Sequence, residues 1–316
     1  MRVILITCFA VMLFINVLHA GNKLTSSFEF LRTDFSPRMA AMSGSNITLR
    51  GDVNSLQINP AGGAFIEQEQ FTFNYTNYLL DINGGLAAYA RPFPGIGILH
   101  ASILYMDYGD FTRTDDYAVP VGGTFSANDF ALSFGISGNL DADFTYGVNL
   151  KYIYSKIEDY QASAAALDFG LLWAVPFEKD LFVGVNLLNV GSNFEYYNKI
   201  QEPLPLSVGI GFSKKLEHLP LEITASLRDL NIESDNLWDR LKRAALGGEF
   251  TVSKTLRLRL GYNYELQQNL QSAADNKFGG VSGGAGIYWK KYRFDYSYSN
   301  YNFLGSVHRF GVWGTL

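Results

Sequence analysis

Thr255–Gln267 reads TLRLRLGYNYELQ. Taken by alternate residues, one set is Leu256, Leu258, Leu260, Tyr262 and Tyr264; the other is Arg257, Arg259, Gly261, Asn263 and Glu265. Successive side chains of an extended chain point to opposite faces, so this stretch has one apolar face and one charged face. A span of about ten tilted residues is what a β-strand needs to cross a bilayer, and aromatic side chains mark the membrane interface. A soluble sheet could use the same pattern once. The question is whether the chain repeats it.

It does, from Gln70 onward. Phe71, Phe73 and Tyr75 alternate with Thr72, Asn74 and Thr76. Phe130, Leu132, Phe134 and Ile136 alternate with small residues, and Phe144, Tyr146, Val148, Leu150 and Tyr152 oppose Thr145, Gly147, Asn149 and Lys151. Near the end, Phe294, Tyr296 and Tyr298 oppose Arg293, Asp295, Ser297 and Ser299. About fourteen such strands fit, an even number, as in single-chain bacterial barrels. Short connections fall at Arg91–Gly95, Asn139–Asp143, Phe177–Leu181, Glu217–Leu219, Ser253–Thr255 and Lys290–Arg293. Most of the intervening ones are longer: Met106–Thr124, Gly191–Pro203, Asn231–Lys242 and Gln267–Phe278. Short turns at one end and long loops at the other is the asymmetry of a transmembrane antiparallel β-barrel. We therefore expect an all-β barrel over 70–316, closed by its first and last strands.

Composition agrees. Of 316 residues, 15% are aromatic and only 17% charged, below the usual fraction of about 25%. Past the N-terminus no run of about 18 apolar residues offers a helical span. Residues 1–20 read as a secretory signal: Arg2, an apolar run Val3–Phe14, then Leu18-His19-Ala20 before Gly21. The only cysteine, Cys8, lies within it, which leaves no thiol chemistry to the exported chain. Residues 21–69 lack long alternation and are rich in small and turn-forming residues, with a short helix expected near Arg38–Met42. In a barrel protein such a segment must plug the lumen or sit at its periplasmic mouth.

Catalytic and metal signatures fail on inspection. The glycine run Gly279–Gly286 lacks the lysine and helix of a phosphate loop. His100, His218 and His308 lie far apart without a ligand set, and no nucleophile signature occurs. Asp107, Asp110, Asp115 and Asp116 do not match calcium-loop spacing and read as a solvated loop. No cofactor, metal or enzymatic activity is expected. Charge on the inner face is more informative. Lys151, Arg257, Arg259, Glu265, Arg293 and Asp295 all fall on one phase, which must be the lumen, because a basic residue at the lipid midplane costs about 2–4 kcal/mol.

Several stretches, in order along nearly the whole exported chain, resemble the PorQ-type outer-membrane proteins of the type IX secretion system. They include Ser36-Pro37-Arg38-Met39-Ala40-Ala41-Met42, Asn59-Pro60-Ala61, Phe73-Asn74-Tyr75-Thr76-Asn77-Tyr78, Tyr108-Gly109-Asp110-Phe111, Gly147-Val148-Asn149-Leu150-Lys151, Glu202-Pro203-Leu204-Pro205 and Gly261-Tyr262-Asn263-Tyr264. The related PorV proteins share the early features, and both groups resemble FadL-type barrels. Ser43 stands where many relatives have glycine, and the chain ends Trp313-Gly314-Thr315-Leu316 rather than on an aromatic residue. The resemblance implies a fourteen-stranded outer-membrane barrel without enzymatic activity, with Arg38, Asn59, Pro60 and Ala61 as its motif residues. It also implies membership of an attachment complex with a PorU-like sortase, a PorV-like barrel and a PorZ-like surface protein, which the chain would anchor while cargo is joined to lipopolysaccharide. Nucleic acid is not an expected partner. The long loops supply candidate contacts in Tyr108, Phe111, Tyr196, Tyr197 and Trp238, since aromatics with a polar handle are enriched at interface hot spots. The alternative is a FadL-like channel for hydrophobic solutes, which needs an apolar pocket; the anchoring role needs a filled lumen and a loop surface able to hold a protein.

Overall fold

The computed structural model describes residues 28–197, 203–232, 236–270 and 278–316. Among these, fourteen antiparallel strands close into one barrel in which sequence neighbours pair. They are β1 (Gln70–Asn77), β2 (Asn83–Phe93), β3 (Gly97–Thr114), β4 (Pro120–Asn139), β5 (Phe144–Ile157), β6 (Tyr160–Ala174), β7 (Leu181–Glu195), β8 (Ser207–Lys215), β9 (Leu221–Leu227), β10 (Ala244–Thr251), β11 (Leu256–Asn263), β12 (Val281–Trp289), β13 (Tyr292–Asn300) and β14 (Ser306–Thr315). Closure is β1 on β14, in register from Gln70 opposite Thr315 to Asn77 opposite His308. That seam leaves no strand edge facing lipid, which could not satisfy free backbone amides. The non-aromatic C-terminus does not interrupt the ladder.

The phase read from β11 holds. Leu258 and Leu260 are 45% and 70% exposed on the outside, whereas Arg259 is 1% exposed on the inside. Phe134, Leu150, Phe294 and Phe310 continue the outward apolar band.

Residues 28–66 pack against the inner wall. Pro37–Ala41 forms a single helical turn, α1, with the proline at its first position, where a missing N–H costs nothing. Val53–Gln57 and Pro60–Phe65 are 3-10 turns, and each is capped by the side chain before it: Asp52 accepts from Asn54 N–H and Asn59 from Ala61 N–H. Glycines on the wall make the close approach possible. A Cβ at Gly147 would lie 2.2 Å from Pro60 C, and one at Gly170 would lie 2.0 Å from Asn59 Oδ1.

The connections differ from expectation in three places. Met106–Thr124 is mostly ladder: β3 and β4 run on to Thr114 and Pro120, and Asp115 N–H to Val119 O, at 2.9 Å, closes the tip. Acids and glycines hid this from the sequence. Gly109, at φ +76°, sits in a bulge between Asp107 and Asp110, and Phe111 stacks on Phe125 across the hairpin at 5.3 Å. In Asn231–Lys242, the Asn236 side chain caps a short helix, α2 (Leu237–Leu241). β11 stops at Asn263, whose side chain accepts from Leu266 N–H and starts helix α3 (Tyr264–Leu270). Tyr264 and Glu265 therefore leave the strand that alternation had assigned them. The expected export signal over 1–20 lies outside the described residues.

Candidate functional site in the barrel lumen

Arg38 projects from α1 to the wall and starts a closed ring of ion pairs. Its Nε and Nη2 each donate to Glu249 of β10 at 2.9 Å, and Nη1 donates to Asp52 Oδ2 at 2.8 Å. Asp52 Oδ2 also accepts from Arg293 Nη2 at 2.8 Å, and Arg293 Nε donates to Asp295 Oδ2 at 2.5 Å. Asp295 Oδ1 accepts from Arg259 Nη1 at 2.6 Å, and Arg259 Nε returns to Glu249 Oε2 at 2.6 Å. Three arginines and three acids alternate around the loop, so the ring is neutral. Asp52, Arg259, Arg293 and Asp295 are buried, and Arg38 and Glu249 are partly buried at 13% and 11% exposure. Burial would push the Asp52 carboxyl up, but Arg293 and Arg38 outweigh it and hold it well below the usual carboxylate range.

The six residues assigned to the lumen from sequence are placed as follows. Arg259, Arg293 and Asp295 join the ring. Lys151 forms a separate buried pair, 2.8 Å from Asp168 Oδ2, and donates to Asn189 Oδ1. Arg257 shares the inner phase but sits at the short-turn rim, its Cζ 5.0 Å from the Tyr288 ring. Glu265 does not lie on the lumen wall as a strand residue. It is on α3 at the opposite mouth, 3.7 Å from Arg243 Nε, where burial and Asp229 push its carboxyl up against the pull of Arg243 and Arg32. Sequence reading missed Asp52, Asp168 and Glu249. A signal existed: the six inner charges it named comprise four basic and two acidic groups, a surplus of two that a sealed lumen must neutralise.

In the facing half, toward β2 to β6, the segment meets an apolar cluster, beside the Lys151–Asp168 pair. Phe30, Phe35, Val53, Leu56 and Ile66 pack on Leu86, Leu104, Met106, Ala131, Ile153 and Ala164 of β2 to β6. Asn59 lies between the halves and is fully buried. Its Nδ2 donates to Ile47 O at 2.9 Å, while Pro60 O accepts from Ser137 Oγ at 2.6 Å and Ala61 O from Thr145 Oγ1 at 3.3 Å. The motif Asn59-Pro60-Ala61 therefore fastens the segment to the wall.

At the long-loop mouth, two cavities open. One, of about 330 Å³, is walled by Arg32, Asp34, Arg228, Glu265, Tyr301 and Arg309. The other, of about 400 Å³, lies between Phe28 of the N-terminal segment and the inner faces of β3 to β5. It contains Tyr108 and Tyr197, which sequence reading had offered as outward contacts. Both turn inward instead: Tyr108 Oη donates to Asp129 Oδ2 at 2.6 Å, and Tyr197 Oη to Ser155 Oγ. Tyr196 Oη donates to Asn193 O at 3.2 Å. Trp238 stays outward, 75% exposed, whereas Phe111, 42% exposed, lines the second cavity beside Phe125, and no grouping of metal ligands occurs among the described residues.

No family model and no curated protein matches the chain. Solved structures do. The toluene transporter TbuX of Ralstonia pickettii aligns with a TM-score of 0.60 at 12% identity, covering 89% of this chain and 98% of that one. The toluene transporter TodX of Pseudomonas putida aligns at 0.58 and 10%, over 88% and 96%. A FadL homologue from Pseudomonas aeruginosa aligns at 0.56 and 11%, over 94% and 100%. At these identities the likeness establishes the fold: a FadL-like fourteen-stranded barrel of the outer-membrane kind.

Proposed function

We propose that this chain is an outer-membrane barrel that works as a fixed anchor for a protein at the cell surface, with residues 28–66 as its stopper. One observation carries the reading: the neutral six-charge ring ties Arg38 and Asp52 of that segment to β10, β11 and β13. A solute passing this level has to part buried ion pairs, and stripping one partner from such a pair costs about 3–5 kcal/mol. A stoppered barrel offers instead a rigid loop face, on which Trp238 and Phe111 are exposed. The resemblance to PorQ-type proteins supports a PorZ-like occupant, with PorU-like and PorV-like neighbours.

A second reading is a channel for small hydrophobic solutes. The aromatic cavity at the mouth favours it, as does the likeness in fold to the toluene transporters TbuX and TodX. One pair of measurements separates the two. Affinity purification of the tagged barrel from its native membrane should bring down a surface protein in fixed ratio, and liposomes carrying the purified barrel should take up toluene no faster than empty ones. A barrel that purifies alone and speeds toluene entry gives the function to the second reading.

A further inference from the structure

The cavity between Phe28 and β3 to β5 has an acid at its floor. Asp129 is 6% exposed and faces that space. Its carboxylate accepts from two hydroxyls, Tyr108 Oη on Oδ2 and Ser155 Oγ on Oδ1. Among the described residues, no cation stands within ion-pair distance of it. The nearby charges are taken: Lys151, four positions before Ser155 on the same strand, pairs with Asp168, Arg113 pairs with Glu158, and Glu29 pairs with Arg32. Every other buried acid of the lumen described above has a cation. A carboxylate offers about four acceptor positions, and two remain open here. A buried charge without a counter-charge is costly, so this one is built for something that arrives.

The walls define what fits. Phe111 and Phe125 are stacked, and Phe28, Ile157, Tyr108 and Tyr197 complete an apolar, π-rich lining. Aromatic faces attract a cation, and the floor supplies the anion. We propose that this cavity is a binding site for a small organic amine: a primary ammonium on an apolar or aromatic stem, with the ammonium on Asp129 and the stem against Phe111, Phe125 and Ile157. Neutral hydrocarbons would use only the walls. A free solute suits the site better than a side chain of a bound protein, because the carboxylate is only 6% exposed at the floor of the recess, where a small ammonium reaches it more readily than one carried on a polypeptide backbone. The proposal stands whether the barrel anchors a protein or conducts a solute.

The test is calorimetric titration of the folded, detergent-solubilised full chain at neutral pH with 2-phenylethylammonium and with its uncharged analogue 2-phenylethanol. The ammonium should bind more tightly than the alcohol by about tenfold or more, the usual gain from hydrogen bonds to a charged group. Asp129→Asn keeps the shape and should remove that advantage while leaving the alcohol unchanged; Phe125→Ala should weaken both. Equal binding of ammonium and alcohol by the parent chain overturns the proposal without any variant, and so does undiminished ammonium binding by a correctly folded Asp129→Asn protein. A capped lysine peptide should bind more weakly than 2-phenylethylammonium. If it binds more tightly, the free-amine assignment falls and the recess is a docking pocket for protein.

Discussion

The two halves of the lumen hold the same N-terminal segment by opposite means. Toward β10, β11 and β13 the contact is six alternating charges; toward β2 to β6 it is phenylalanine, valine and leucine on alanine, leucine and isoleucine. The apolar half supplies free energy: a buried leucine or phenylalanine side chain is worth about 1.5–3 kcal/mol. It specifies position weakly, because apolar surfaces tolerate sliding. The charged half gains little net energy, since desolvating six ions offsets most of their attraction. It does discriminate. A shift of one residue on β10 would exchange Glu249 for Gly248 or Phe250 and leave arginines unpaired. One half keeps the segment in, and the other says where.

The largest effect should come from unbalancing the charged half. Arg259→Met leaves Glu249 and Asp295 each short of a partner and should cost about 3–5 kcal/mol in the urea unfolding of the heat-resistant, compact form. Removing its neighbour as well, in Arg259→Met with Glu249→Leu, takes out a neutral pair and leaves Arg38, Asp52, Arg293 and Asp295 in alternation. Most of the loss should return. A double variant no better than the single would show that the ring is not the electrostatic unit described here.

On the apolar half, Leu56→Ala should cost about 2–5 kcal/mol, the range for a buried leucine truncated in a close-packed core. The two halves then differ in rescue rather than in size. No second truncation opposite Leu56 should restore stability, because a cavity has no counter-charge to remove. Recovery on truncating Ile153 in the Leu56→Ala background would erase the distinction.

Between the halves, Asn59→Ala should cost about 1 kcal/mol through the lost cap on Ala61 N–H. Its Nδ2 bond to Ile47 O adds to this, since the alanine leaves that carbonyl without its donor. Equilibrium unfolding measures it, and a cost above that of Leu56→Ala would move the segment's main hold to this motif.

How far these halves were legible follows from their physics. Strand alternation has a period of two, and lipid punishes a wrong phase, so the phase of β11 could be read from Leu258, Arg259 and Leu260, and the fourteen-strand context from the repeat of that pattern from Gln70 onward. The inner charges on strands were legible for the same reason. Asp52 was not, because it lies in a segment with no period; only the finished fold brings it to Arg293. Glu249 was hidden between glycines and a phenylalanine, although its phase is the inner one. Tyr108 and Tyr197 misled because a tyrosine in a connection looks the same whether it faces water or a recess. Glu265 misled because a helix cap at Asn263 ended the strand two residues early, and a cap competes with alternation only through its local hydrogen bond.

The smallest effect sharpens the comparison most, because it sets one arginine against another two positions away. Arg257 and Arg259 share a strand and an inward phase. Arg259 is sealed in the ring, whereas Arg257 stands half-buried at the short-turn rim over Tyr288 and donates to Ser253 O. A partly exposed cation on an aromatic face is worth about 0.5–1 kcal/mol, and water at the rim can replace the hydrogen bond. Arg257→Leu should therefore change the unfolding midpoint by less than a third of the Arg259→Met shift, and added salt should narrow the gap between parent and variant only slightly. If Arg257→Leu proves as costly as Arg259→Met, exposure does not separate the two, and the charged half extends to the end of the barrel rather than stopping at the ring.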